Sequence, residues 1–146
     1  MFNKILIVCV GNICRSPTAE KLLHSALASS CIEVRSAGLA ALQDHPLEPM
    51  ASRLLEERGY TLLAHSARQL TRAAVSDADL VLVMEQRHID GVLEVAPEAR
   101  GKVFLLGKWQ HDREIKDPYR QGRSAFIHAF ALIEQATQAW ASRLLS

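Results

Sequence analysis

One segment near the amino terminus constrains the fold more than any other part of the chain. An apolar run at residues 5–8 is followed by a loop from Cys9 to Arg15, and then by a helix-forming stretch at residues 17–23. This order predicts a strand, a tight loop and a helix. A loop that closes on a helix N-terminus points several backbone N–H groups at one centre, which can hold an oxyanion of the size of phosphate.

The two ends of this loop carry reactive residue types. Because inward N–H groups and the helix dipole favour a thiolate, we expect Cys9 to be ionised and nucleophilic at neutral pH. Arg15 offers a planar fork of donors for two phosphate oxygens, and we expect it to hold the transition state more tightly than the ground state. Gly11 and Asn12 tolerate the positive φ that such a loop requires. The predicted phosphate-binding loop also includes Val10, Ile13, Cys14 and Ser16.

Ser16 has two compatible interpretations. Its hydroxyl can cap the helix, with Pro17 in the first helical position, where a missing N–H costs nothing. It can also donate to the sulfur of Cys9 and stabilise that sulfur as a leaving group.

A thiolate that attacks phosphorus needs an acid, because an alkoxide or phenoxide leaves poorly at neutral pH. The sequence Asp117-Pro118-Tyr119 offers one, since the proline favours an extended Asp117 whose carboxylate is held out from its loop. We predict Asp117 as the general acid ahead of Asp112 and Glu114. Tyr119 is predicted to form an apolar wall beside an aromatic substrate.

Strand and helix patterns alternate along the chain. The predicted strands cover residues 4–8, 32–36, 80–84 and 103–106, and the predicted helices cover residues 17–29, 48–58, 71–76, 86–95 and 124–145. Apolar strands separated by helices predict a three-layer, doubly wound α/β fold, with four parallel strands and helices on both faces. Ligands of such sheets bind at the carboxyl ends of the strands, so Cys9 and Asp117 can meet there. We predict one domain over residues 1–146, with residues 107–122 as a functional loop.

Composition restricts the classes of function. Lys and Arg number 17 against 16 Asp and Glu, a net charge of +1 that offers no basic surface for nucleic acid. Three cysteines, two of them in the loop, argue against a disulfide framework and for a reducing compartment, and we expect Cys31 in the core. The first apolar run stops at Gly11, too short for a signal peptide or membrane span, so we predict a cytoplasmic protein without membrane insertion. We predict no cofactor and no metal, because a zinc site would need two ligands beyond Cys9 and Cys14.

The cysteine loop and the distant Asp-Pro-Tyr segment together resemble the low-molecular-weight protein tyrosine phosphatases, whose length also suits this chain of 146 residues. Residues 84–89 and 100–103 resemble the bacterial branch encoded with exopolysaccharide and capsule machinery. The resemblance implies that Cys9 forms a phosphocysteine, that Arg15 clamps the phosphate, and that Asp117 acts first as acid and then as base. It further implies a hydrogen-bond network that supports the loop, formed by Asn12, Ser16, Ser36 and His65.

The rim of the pocket departs from the animal members of this family. They place an aromatic residue shortly after the Ser-Ala-Gly segment and a second tyrosine after Asp-Pro-Tyr, whereas this chain has Leu42 or His45 at the first place and Arg120 after Tyr119. We therefore expect weaker stacking on phosphotyrosine and a larger part for a docked protein partner. By resemblance, that partner is the tyrosine-rich tail of a membrane-bound autokinase that controls polysaccharide export. Separately, we expect the chain to be a monomer.

Cys14 places a second thiol in the loop that begins at Cys9. A reversible disulfide between Cys9 and Cys14 is similar to what the family does, whereas the alternative is a buried Cys14 that only fills space. Arsenate reductases of this fold need further cysteines, and none follows Cys31. Related protein-arginine phosphatases carry threonine where Ile13 stands, so a branched aliphatic side chain favours phosphotyrosine. A non-catalytic phosphotyrosine-binding module would have no use for a thiolate and an acid together.

Overall fold

Strands and helices alternate as the sequence pattern predicts. The structure is a computed structural model that describes residues 2–62 and 64–146. Its elements are β1 (Lys4–Cys9), α1 (Arg15–Ala26), β2 (Glu33–Gly38), α2 (Pro49–Glu57), α3 (Arg72–Asp77), β3 (Leu80–Val83), α4 (Gln86–Val95), β4 (Val103–Leu105) and α5 (Arg123–Leu145), with a 3₁₀ turn at Pro97–Ala99. The loop between β4 and α5 carries Asp117, as predicted.

The four strands form one parallel sheet in the order β2-β1-β3-β4. In register, Ile7 of β1 pairs with Ser36 of β2 on one side and with Leu82 of β3 on the other. The chain therefore leaves β1 toward one edge of the sheet and later returns to build the other edge. The carboxyl end of β1 is the point at which the winding reverses, where sheets of this kind bind ligands.

Both faces of the sheet are covered, which explains why β1 is apolar throughout instead of alternating. Ile5 and Ile7 pack into a cluster with α1, α2 and α5, while Leu6 and Val8 pack into a second cluster with α3 and α4. All four side chains are buried, and each contributes about 1.5–3 kcal/mol of apolar burial. The predicted doubly wound α/β fold is confirmed.

The end of β2 lies against the loop that follows β1. Leu39 donates its backbone N–H to the carbonyl of Cys9, and Ala40 donates to the carbonyl of Val10, each at 2.9 Å. A Cβ atom at Gly38 would stand 2.5 Å from the carbonyl oxygen of Val10. Glycine is therefore required for β2 to approach the loop this closely.

Three local predictions are wrong. Cys31 is exposed, because it lies in the connection before β2, which begins only at Glu33. Helix α1 begins at Arg15, so Pro17 is its third residue. Ser16 does not cap the helix, because it lies inside it and Cys14 occupies the N-cap position without a side-chain cap.

Within residues 2–62 and 64–146, no helix combines the length and the apolar character that crossing a bilayer requires.

Candidate active site

A pocket opens at the carboxyl end of β1. Its floor is the loop of residues 9–15, and its walls are Ala40, Leu42, Asp117 and Tyr119. The structure thus brings together residues that the sequence predicted from opposite ends of the chain. Of the two alternatives for the rim, Leu42 lies at the pocket mouth, whereas His45 is exposed outside the lining, because its backbone N–H closes a turn onto the carbonyl of Leu42.

The Cys9 sulfur at the base of this pocket lies 2.9 Å from the hydroxyl oxygen of Ser16. The side-chain amide of Asn12 donates to that oxygen at 2.8 Å and to the hydroxyl oxygen of Ser36 at 3.0 Å. Since the Ser16 oxygen already accepts from Asn12, its own proton is free to point at the sulfur. The geometry therefore favours Ser16 as a donor to a Cys9 thiolate.

Asn12 is the centre of the network beneath the loop. It is fully buried and has a φ of 57°, a left-handed conformation that asparagine tolerates. Its side-chain oxygen accepts the backbone N–H of Arg68 at 3.0 Å, which fixes the orientation of the amide. His65 donates from Nε2 to the Asn12 carbonyl at 2.7 Å. The contacts expected for Ser36 and His65 are present.

Glu20 extends this network in a way that the sequence did not predict. Its Oε1 accepts the hydroxyl of Ser36, so the hydroxyl that receives the Asn12 amide is itself held by a carboxylate on α1. No local signal in the sequence links a residue of α1 to one in β2, because the contact depends on how the helix packs on the sheet.

Arg15 is buried and is held on one side by two acceptors. Its Nη1 donates to Oε2 of Glu85 at 2.6 Å and to the carbonyl of Ile115 at 2.8 Å. Its Nη2 lies 3.9 Å from the carboxylate of Asp117. The guanidinium therefore enters the pocket with one nitrogen engaged by the protein and the others available to an oxyanion.

Glu85 is a buried carboxylate shared by two arginines, since Arg87 donates to its other oxygen at 3.2 Å. Burial alone would raise the pKa of Glu85, but the hydrogen bonds from Arg87 and Arg15 and the charge of Arg15 outweigh it and lower this pKa to about 2. Glu85 is consequently ionised at neutral pH, and it holds Arg15 by charge as well as by hydrogen bonding.

His88 supports Glu85 from the first turn of α4. Its Nδ1 accepts the backbone N–H of Glu85 at 3.2 Å, and its Nε2 lies 3.6 Å from Oε2 of the same residue. Burial, together with the positive charge of Arg15, lowers the pKa of His88 to about 4. The ring is neutral at physiological pH, with its proton on Nε2. Glu85 and His88 belong to residues 84–89, which carry the family resemblance, and their place directly after a buried strand was a usable signal of a role in the site.

Asp117 stands at the pocket mouth with its side chain about half exposed. Its Oδ1 accepts the backbone N–H of Tyr119 at 3.0 Å, which orients the carboxylate. The rival Glu114 instead accepts the backbone N–H of Gln86 at 2.7 Å, at the start of α4. Asp112 is not among the residues that line the pocket. The geometry therefore favours Asp117 among the predicted acids.

Comparison with known proteins identifies the family. The family model "Low molecular weight phosphotyrosine protein phosphatase" matches residues 4–146. The chain belongs to this family. It is 47% identical over 144 residues to the low molecular weight protein-tyrosine-phosphatase Wzb of Escherichia coli K12, a match that covers 99% of this chain and 97% of that protein. The predicted enzyme class, protein-tyrosine-phosphatase, is confirmed.

Solved structures extend the comparison. Vibrio vulnificus Wzb in complex with benzylphosphonate superposes with a TM-score of 0.93 and 47% identity, over 98% of this chain and 99% of that one. The YwlE arginine phosphatase from Geobacillus stearothermophilus superposes with a TM-score of 0.91 and 33% identity, over 99% of this chain and 94% of that one. The fold is thus common to phosphatases of two substrate classes.

The phosphatase carries a second thiol in its loop. Cys14 is a free, buried cysteine that lines the same pocket as Cys9. Burial, and then the proximity of Cys9, raises the pKa of Cys14 far above its ordinary value. Cys14 is therefore protonated at neutral pH, and a disulfide between the two thiols stays a prediction.

Proposed function

We propose that the phosphatase hydrolyses phosphotyrosine in proteins through a phosphocysteine intermediate on Cys9. The observation that carries this proposal is the convergence in one pocket of a buried thiol, a buried guanidinium and a half-exposed carboxylate, those of Cys9, Arg15 and Asp117. Each has the chemistry that one step of phosphoryl transfer requires.

In the first step, the Cys9 thiolate attacks phosphorus. The sulfur–phosphorus bond forms as the bond to the phenolic oxygen breaks, and Asp117 gives its proton to that oxygen. The backbone N–H groups of the loop and the free edge of Arg15 bind the equatorial oxygens, where negative charge is spread in the transition state. Because Glu85 holds Arg15 from behind, these donors are aimed before the substrate arrives.

In the second step, water attacks the phosphocysteine and gives a proton to the Asp117 carboxylate. The sulfur–phosphorus bond breaks and the Cys9 thiolate is restored. The Ser16 hydroxyl, 2.9 Å from the sulfur, stabilises the departing thiolate. The network through Asn12 and Ser36 holds that hydroxyl in place.

Features of the pocket mouth favour an aromatic phosphate ester. Leu42 and Tyr119 form apolar walls, and Ile13 lines the pocket with a branched aliphatic side chain. Binding of benzylphosphonate to the Vibrio vulnificus relative supports an aryl substrate for this chain as well. A protein-arginine phosphatase is the second candidate, because the arginine phosphatase YwlE shares the fold at 33% identity.

We further propose a cellular role on the basis of sequence resemblance. The phosphatase acts as a cytoplasmic monomer on a membrane-bound tyrosine autokinase, and so regulates the synthesis or export of exopolysaccharide or capsule. The resemblance of residues 84–89 to the bacterial branch encoded with such machinery supports this role, as does the 47% identity to Wzb.

The decisive experiment compares phosphotyrosine, phosphoserine and phosphoarginine peptides under reducing conditions. Wild type is expected to release phosphate from phosphotyrosine alone. Cys9→Ser is expected to lose turnover but still bind phosphate, because the hydroxyl is a poor nucleophile and the loop is intact. Cys31→Ser is the matched control, since this exposed thiol lies outside the pocket. Preference for phosphoarginine would contradict the substrate class, and turnover by Cys9→Ser would contradict the mechanism.

A further inference from the structure

The turn after Asp117 holds an arginine in a backbone conformation that favours glycine. Gln121 donates its N–H to the carbonyl of Pro118 at 2.9 Å, which closes a four-residue turn. Arg120, in the third position of this turn, has a φ of 63°. Glycine or asparagine usually fills a position with positive φ in such a turn, because a larger side chain strains the backbone. Strained backbone conformations cluster at functional sites, which makes the Arg120 side chain a candidate for a functional contact.

The Arg120 guanidinium lies against the ring of Tyr119, a residue that lines the active-site pocket. Its Cζ is 5.1 Å from the centre of the Tyr119 ring, and that ring is one wall of the pocket mouth. Stacking on an aromatic face leaves the N–H groups of a guanidinium, which lie in its own plane, free to bind an anion at the edge.

Two other arginines near the site are paired with carboxylates. Arg87 is bound to Glu85, and Arg123 donates to Glu57 at 2.8 Å. Across residues 2–62 and 64–146, the Arg120 guanidinium contacts an aromatic ring and no carboxylate. Among the described residues, its positive charge therefore lies next to a pocket-lining side chain without a carboxylate at ion-pair distance.

We propose that Arg120 is a specificity-determining residue that binds an anionic side chain next to the phosphotyrosine being hydrolysed. The inference rests on the proposed function, because a phosphotyrosine ring held between Leu42 and Tyr119 brings the flanking peptide residues close to Tyr119, against which the Arg120 guanidinium packs. The anion is a carboxylate or the phosphate of a second phosphotyrosine. Both groups accept in-plane N–H donors from a guanidinium.

The test measures kcat/KM for three phosphotyrosine peptides that differ only beside the reacting residue, which is flanked by serine, by aspartate or by a second phosphotyrosine. The quantity of interest is the preference for an anionic over the serine peptide within one variant, so that general changes in activity cancel. Wild type is expected to show a preference of about two- to five-fold, typical of an exposed ion pair, that weakens at high salt. The anionic peptide with the higher kcat/KM relative to the serine peptide identifies the anion that Arg120 binds.

The matched variants are Arg120→Gly and Arg100→Gln. Glycine suits the positive φ, so Arg120→Gly is expected to be at least as stable as wild type in urea while its preference falls to about one. Arg100 is exposed and precedes β4, at the amino ends of the strands, whereas the pocket lies at their carboxyl ends. Arg100→Gln therefore removes the same charge and is expected to keep the wild-type preference.

Two outcomes would overturn the inference. Wild type could hydrolyse all three peptides equally well, or Arg120→Gly could retain the full preference for an anionic neighbour. Failure of wild type to hydrolyse any phosphotyrosine peptide would instead contradict the proposed function and remove the basis of the inference with it.

Discussion

Replacing Glu85 by glutamine keeps the shape of the side chain but removes the charge that holds Arg15. Glutamine still offers one carbonyl oxygen to the guanidinium, so any loss of stability reports the buried charge and not a cavity. The pKa of Glu85 lies at about 2 in the folded protein, against an ordinary value of 4.5. This difference corresponds to about 3 kcal/mol at neutral pH, in line with the roughly 3–5 kcal/mol lost when one partner of a buried ion pair is removed.

The pH dependence follows from the direction of this pKa. Because the folded pKa is depressed, the stabilisation by Glu85 is complete above about pH 4.5 and is lost as the pH falls toward 2. By pH 3 roughly half of it is gone. The stability gap between wild type and Glu85→Gln is therefore expected to narrow from about 3 kcal/mol at pH 7 to about 1.5 kcal/mol at pH 3.

Urea unfolding at pH 7 and pH 3, together with kcat/KM for an aryl phosphate, measures both consequences. We expect kcat/KM to fall by about 10- to 100-fold, because a misplaced guanidinium no longer meets the phosphate oxygens. Glu134→Gln is the matched control, since Glu134 pairs with Arg58 at 3.5 Å on the surface and is expected to change stability by under about 1 kcal/mol. If Glu85→Gln costs no more stability than Glu134→Gln at pH 7, the charge of Glu85 does not hold Arg15.

Three further substitutions test other parts of the site. His88→Gln keeps an acceptor for the backbone N–H of Glu85. Because the pKa of His88 is lowered to about 4 in the folded protein, the free energy of unfolding of the wild type is expected to fall by about 2 kcal/mol relative to this variant between pH 7 and pH 5. Urea unfolding with the same pH dependence in both proteins would contradict the lowered pKa of His88. Asp117→Asn is expected to slow poor aryl leaving groups by about 100-fold or more and good ones far less, whereas equal losses would point to another acid. Gly38→Ala places a Cβ 2.5 Å from the carbonyl oxygen of Val10. The substitution is expected to lower the free energy of unfolding in urea by about 1–3 kcal/mol and to weaken phosphate binding. If neither value changes, β2 can move away from the loop.

The parts of this fold that local chemistry decides were predictable from the sequence. The strand, loop and helix around Cys9 follow from residues that are neighbours in the chain. Asn12 has the positive φ expected of its residue type, whereas Gly11 does not adopt one. The position of Asp117 near Cys9, at the carboxyl ends of the strands, followed from a general rule for parallel sheets. The fold could therefore be predicted because the short-range patterns in this chain are strong.

The support of Arg15 was not predictable in the same way. Glu85 follows β3, and it reaches Arg15 because β3 pairs directly with β1. The order of strands in the sheet is set by the packing of the whole chain, and no local pattern specifies it. The prediction for Cys31 was wrong for another reason. An apolar residue type was expected in the core, but this residue lies in an exposed connection.

The hold on Arg15 has a thermodynamic consequence for ligand binding. An arginine side chain loses about 2 kcal/mol of rotamer entropy when it is fixed in one conformation. Here that loss occurs during folding, because Glu85 and the Ile115 carbonyl already fix one guanidinium nitrogen in the unliganded protein. A phosphate group therefore meets a preorganised guanidinium, and its affinity is not reduced by the ordering of a flexible side chain.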